Sequence, residues 1–129
     1  TEYYKKNNIK NYIFEFDSNM VKLISSSNLA ITRCGASTTA ELVHTITPFI
    51  AVPLEQSVDN HQYLNAKFYN ERGCCWILEQ KNFTVDSLFN LILKIIKNKN
   101  QLETMRQNMK KNYNNKIYSI IESKIKEFI

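Results

Sequence analysis

Two short stretches hold side chains whose types and spacing could do chemistry. In PLEQSVDNHQYLNA, the residues Asp59, Asn60, His61, Gln62 and Asn65 fall around the first turns of a helical pattern. Gln62 and Asn65, or His61 and Asn65, are three or four apart and so share one face of a helix. Neutral amides and an imidazole suit the hydroxyls of a sugar, because they donate and accept hydrogen bonds without a full charge to strip of water. In TRCGASTTAE, Gly35 is one of only two glycines in 129 residues and stands between an apolar run and a second helical pattern. Gly35, Ala36, Ser37 and Thr38 would let the backbone come close to a ligand while the unpaired N–H groups of a helix start point at it, which suits phosphate. Each stretch also has a structural reading: Thr38 and Glu41 are spaced as a capping box, and Asp59 and Gln62 as a cap pair. Spacing alone leaves both readings open.

Other chemistries find little support. With one glycine, the Gly35 loop is neither GxGxxG nor GxxxxGK[ST], so a dinucleotide fingerprint and a Walker site are not indicated. His44 and His61 stand in no Ser-His-Asp order and at no metal-ligand spacing, so a self-contained hydrolase is not indicated either. Cys34, Cys74 and Cys75 are too few and wrongly spaced for a disulfide framework or a paired CxxC zinc site. Cys34, ahead of a helix, could be a reactive thiol or a core residue. Cys74, Cys75 and Trp76 read as core strand. No metal or cofactor is expected.

Positioning these loops calls for strands alternating with helices, the signature of a parallel α/β sheet. Strands are predicted at Tyr12 to Phe16, Leu29 to Thr32, Phe49 to Val52 and Cys74 to Leu78, with helices at about 18–27, 38–46, 59–71 and 84–98. From 100 to 128 the apolar residues Leu102, Met105, Met109, Tyr113, Ile117, Ile120, Ile121 and Ile125 recur three or four apart, predicting one or two helices packed on the sheet. Open sheets of this kind bind ligands at the carboxyl ends of strands, which here hold Phe16 to Met20, Gly35 to Glu41, and Glu55 to Asn65.

The chain is one domain's length, at 43% hydrophobic and 22% charged, with no apolar run long enough to span a membrane. A reducing cytoplasm is the expected setting. Residues 94–129 hold nine Lys or Arg and three acids, a net +6, and the rest of the chain nets −1. That basic third is read as a solvated helix face or a contact for an anionic membrane surface, with no nucleic-acid partner expected.

Taken in order, FDSNM, RCGASTTAEL, PFIAVPL and DNHQYLNA resemble the carboxyl-terminal domain of the UDP-N-acetylglucosamine transferases of peptidoglycan synthesis, the MurG family, over about residues 14–93. The resemblance implies a Rossmann-like parallel sheet flanked by helices, part of the C-terminal domain of a GT-B glycosyltransferase, spanning residues 1–129. It implies an inverting enzyme that moves N-acetylglucosamine from UDP-GlcNAc to lipid I, giving lipid II, at the inner face of the cell membrane. Phe16 and Met20 would border the uracil, and Gly35, Ala36, Ser37 and Thr38 would form the loop near the diphosphate. Glu41 would hold the ribose hydroxyls, and His61, Gln62 and Asn65 the sugar. The family's amino-terminal acceptor domain and catalytic histidine have no counterpart here, so the chain alone is expected to be inactive. The family also has a glycine where Ile46 stands, so the turn after the helix is expected to be made differently. Other readings are the soluble subunit of a two-chain dolichol-linked GlcNAc transferase, a UDP-GlcNAc 2-epimerase-like protein, or a nucleotide-sugar-binding module without catalysis.

Overall fold

The computed structural model describes residues 2–56 and 58–113, together with Ser123, Ile125 and Lys126. Strands β1 (Ala30–Thr32), β2 (Phe49–Ala51) and β3 (Cys75–Ile77) form a parallel sheet in the order β1-β2-β3. Ala30, Phe49 and Cys75 stand side by side in register. Around them lie α1 (Glu2–Lys6), α2 (Met20–Ser25), α3 (Ala36–His44), α4 (His61–Glu71), α5 (Val85–Lys97) and α6 (Lys99–Asn112). Parallel neighbours require a crossover, and α3 and α4 provide the two that link β1 to β2 and β2 to β3. This is the expected Rossmann-like parallel sheet flanked by helices.

The central strand divides the core. Side chains alternate along a strand, so Phe49 and Ala51 join Leu42, Val43, Ala66 and Met109 on one face. Ile50 and Val52 join Ile95 and the half-buried Leu88, Leu91 and Ile92 on the other. Burying Phe49 and Ile50, neither of which has any exposure, contributes about 2–3 kcal/mol each. Helix α5 forms because Leu88, Leu91, Ile92 and Ile95 fall three or four apart, and because Thr84 caps it. The Ser87 N–H donates to Thr84 Oγ1 at 3.1 Å, and the Thr84 N–H donates to Ser87 Oγ at 2.9 Å.

Several expectations need correction. The segment Tyr12–Phe16 is not a strand. It is aromatic and β-branched, and the Tyr12 and Phe14 rings lie 5.0 Å apart. A strand exists only when a neighbour takes its N–H and C=O groups, and no described strand lies beside this one. Thr38 and Glu41 do not form a capping box, because the helix starts earlier: Gly35 is the N-cap of α3, with no side-chain cap bond, and Glu41 sits in the second turn. Asp59 and Gln62 are no cap pair either. Asp59 and Asn60 are left-handed, with φ of 51° and 54°, so α4 begins only at His61. Asp and Asn tolerate that conformation better than most residues.

The turn after α3 is made in the way a glycine would make it. Ile46 has φ 57°, while its N–H donates to Val43 O at 3.1 Å and the Thr47 N–H donates to Leu42 O at 2.9 Å. These two bonds are the Schellman pattern, whose left-handed residue is usually glycine. Here a β-branched residue carries the strain, roughly 1–2 kcal/mol, while packing half-buried against the core. At the other end of the chain, α6 turns Met105 and Met109 inward. Ile117, Ile120 and Ile121 lie outside the described residues, and Ile125 is exposed.

Candidate functional site

The carboxyl end of the sheet gathers the loop after β1, the loop after β2 and the short turn at Gln80–Asn82 after β3. The first turn of α3 leaves the N–H groups of Gly35, Ala36, Ser37 and Thr38 without an intrahelical acceptor, and none of them meets another among the described residues. They form the positive end of a nine-residue helix. Gly35 itself has φ −60° and ψ 149°, and a Cβ built on it would meet no atom within 4 Å. The residue before it takes the unusual geometry: Cys34 has φ 68° and is fully buried. Burial pushes its thiol up from 9.0 to about 12, so Cys34 is an inert core thiol and not a reactive one. The Cys75 thiol is raised too, first by burial and then by the neighbouring Cys34 and Cys74.

The two loops that hold the candidate residues meet through one side chain. Asn65, in the second turn of α4, donates from Nδ2 to the Cys34 carbonyl at 3.3 Å, across 31 residues of sequence. One turn earlier, Gln62 Oε1 accepts the Leu54 N–H at 2.8 Å and holds the loop after β2. Both side chains are half-buried. His61 opens the helix and is exposed. The Glu41 carboxylate is half-buried and makes no hydrogen bond or ion pair with any described residue. Phe16 and Met20 hold apolar surface in solvent, at 84% and 38% exposure, the first in the irregular segment and the second at the start of α2.

One residue escapes reading by motif. Arg33 extends from the end of β1 across the end of β2, donating to Gln80 Oε1 at 2.7 Å and to the Val52 carbonyl at 3.5 Å. It fastens the loops after β1, β2 and β3 together and brings a fixed positive charge to this end of the sheet. A signal was present, in that it is the only cation standing between a strand and the glycine turn, but the partners that give it a role are 19 and 47 residues away. A cavity of about 300 Å³ opens between Leu54, Asn60, Tyr63, Glu79 and Lys81. Lys81 pairs with Glu79 at 2.8 Å, and that hydrogen bond raises the lysine pKa. Among the described residues, no helix is long and apolar enough to cross a membrane.

Comparison with known proteins agrees with the fold. The chain is 41% identical over 126 residues to the UDP-N-acetylglucosamine–N-acetylmuramyl-(pentapeptide) pyrophosphoryl-undecaprenol N-acetylglucosamine transferase of Pelagibacter ubique, covering 92% of this chain and 35% of that protein. It is 36% identical over 108 residues to the Campylobacter jejuni protein of the same name, covering 84% of this chain and 31% of the relative. The chain thus spans about a third of the length of these relatives. The crystal structure of Acinetobacter baumannii MurG superposes with a TM-score of 0.68 at 30% identity, over 78% of this chain and 28% of that one. The model of the glycosyltransferase family 28 C-terminal domain matches residues 1–123, and the chain belongs to that family.

Proposed function

We propose that this chain is the UDP-GlcNAc-binding part of an inverting N-acetylglucosaminyltransferase that makes lipid II from lipid I. The observation that carries the reading is the Asn65 to Cys34 hydrogen bond, which joins the Gly35 loop and the start of α4 into one polar surface at the carboxyl end of a parallel sheet. In this reading Gly35, Ala36, Ser37 and Thr38 offer N–H groups to the diphosphate. Glu41, whose carboxylate is uncommitted, accepts from the ribose hydroxyls. His61, Gln62 and Asn65 bind the sugar, and Phe16 and Met20 flank the uracil. Arg33 holds the loops in place and adds positive charge.

The chemistry would be completed elsewhere. Transfer to a hydroxyl needs a base; no described residue is assigned that role, and in this reading base and acceptor site lie in the part of the relatives' length that this chain does not span. The acceptor is a lipid, and Lys94, Lys97, Lys99 and the other cations of residues 94–129 would favour an anionic membrane at the inner face of the cell; binding to anionic vesicles should then fall steeply with salt. Calorimetry with UDP-GlcNAc tests the site. Wild type should bind, and Glu41→Ala should bind about tenfold to a hundredfold more weakly, because hydrogen bonds to a charged group are lost. Equal binding by the two, or none by wild type, would remove the reading.

A further inference from the structure

We infer that Gln62 and Asn65 read opposite hydrogen-bond polarities on the bound sugar, Gln62 presenting its amide N–H groups and Asn65 its amide oxygen, because the fold already occupies the other half of each amide. The inference rests on the UDP-sugar site proposed above and adds what each residue demands of its ligand.

A side-chain amide has one accepting and one donating end, and at ordinary precision the two ends look alike. Here the backbone decides between them. The atom that meets Gln62 at 2.8 Å is the Leu54 N–H, which can only donate, so the Gln62 end facing the loop is Oε1. The atom that meets Asn65 at 3.3 Å is the Cys34 carbonyl oxygen, which can only accept, so the Asn65 end facing the loop is Nδ2. Neither assignment can be reversed without setting two donors or two acceptors against each other and losing the bond, which is exposed at Gln62 and part-buried at Asn65. Among the described residues, Gln62 Nε2 and Asn65 Oδ1 have no hydrogen-bond partner, and the two side chains sit one turn apart on the same face of α4.

The ligand must therefore offer an acceptor to Gln62 and a donor to Asn65. A hydroxyl can do either. A carbonyl can only accept, so the carbonyl of an acylated amino group suits Gln62 and is repelled by Asn65, whereas Asn65 suits a hydroxyl or an amide N–H. The ligand class that satisfies both is a nucleotide-linked sugar with at least one donating hydroxyl and a second accepting oxygen beside it.

Isosteric substitutions separate the two halves of each amide. Gln62→Glu keeps the acceptor for Leu54 but removes the donor from the open end. The ratio of UDP-GlcNAc to UDP affinity should fall about fivefold to tenfold, with the melting temperature and the hydrogen exchange of the Leu54 amide unchanged. Taking the ratio cancels the repulsion that the new carboxylate exerts on the diphosphate of both ligands. Gln62→Met should lower the ratio equally and also speed exchange at Leu54. Asn65→Asp keeps the open oxygen and loses the donor to Cys34, so it should lower the melting temperature where Gln62→Glu does not. If Asn65→Asp does not fold, the Gln62 pair decides the matter alone. An unchanged ratio in Gln62→Glu overturns the polarity while the donor site stands; failure of the wild type to bind UDP-GlcNAc overturns both.

Discussion

The two ends of α3 treat glycine in opposite ways. At the start, Gly35 has a φ of −60° that any residue adopts, and the left-handed geometry falls instead on Cys34. At the finish, the Schellman turn wants a glycine and holds Ile46 at φ 57°. A chain with only two glycines therefore leaves one where the backbone does not need it and omits one where the backbone does. The difference shows what each end answers to. Ile46 is kept at a cost of about 1–2 kcal/mol because its side chain also packs on the core. Gly35 packs on nothing, and the space a Cβ would fill is open and adjoins four uncommitted N–H groups. The start of the helix leaves open space and free N–H groups, as the proposed diphosphate site requires, and the finish answers to the protein's own core.

The largest expected effect lies at Cys34, the strained residue beside Gly35. Its folded thiol titrates at about 12 against 9.0 for an ordinary one. Between those values the native state keeps a proton that the unfolded chain has lost. The stabilisation is therefore complete below pH 9.0 and declines as pH rises toward 12, by as much as about 1.4 kcal/mol per unit. Urea unfolding over an alkaline pH series should show this slope, and Cys34→Ala should flatten it in part, because the Cys74 and Cys75 thiols are also raised by burial. A Cys34→Ala series as steep as wild type would mean the thiol is not held neutral by the fold.

Next in size is the contrast between the two glycines. Gly73 has φ 66°, and a Cβ there would stand 2.5 Å from Nδ2 of Asn108, the side chain that donates to the Gly73 carbonyl. Gly73→Ala should cost about 1–2 kcal/mol of stability and leave UDP-GlcNAc affinity alone. Gly35→Ala should do the reverse, leaving stability unchanged or slightly raised while weakening UDP-GlcNAc about tenfold, or 1.4 kcal/mol. Denaturation and calorimetry on both variants make the check, and loss of stability in Gly35→Ala would show that its glycine serves the fold after all.

The smallest effect sharpens the other end. Glycine is ordinarily worse than alanine near a helix, but at a left-handed position the order inverts. Ile46→Gly should be about 1 kcal/mol more stable than Ile46→Ala, both having lost the same packing. If the alanine variant is the more stable in chemical denaturation, residue 46 is not left-handed in solution.

Some of this was readable from local sequence. Apolar runs at 29–32, 49–52 and 74–78 became the three strands with their ends trimmed by one or two residues, because short β-branched and aromatic segments between turn residues have few other uses. Helix α5 was readable from its spacing, although its cap was not anticipated. The family likeness rested on GAST and DNHQ, short motifs whose residue types survive in order. The misreadings share one cause. Tyr12–Phe16 has strand composition but no partner strand among the described residues, and Thr38 with Glu41 has capping spacing but a helix that starts two residues sooner than expected.

Local sequence carries the order of elements, the class of fold and the two stretches proposed to hold a ligand, since each depends on residues within a turn or two of one another. The tertiary structure decided which groups are left over for the ligand. Arg33 reaches Gln80, Asn65 reaches Cys34 and Gln62 reaches Leu54 only once the sheet has brought its carboxyl ends together. The sequence can offer an amide, but which end of it stays free is set by the backbone group that takes the other end, and that partner is chosen by packing.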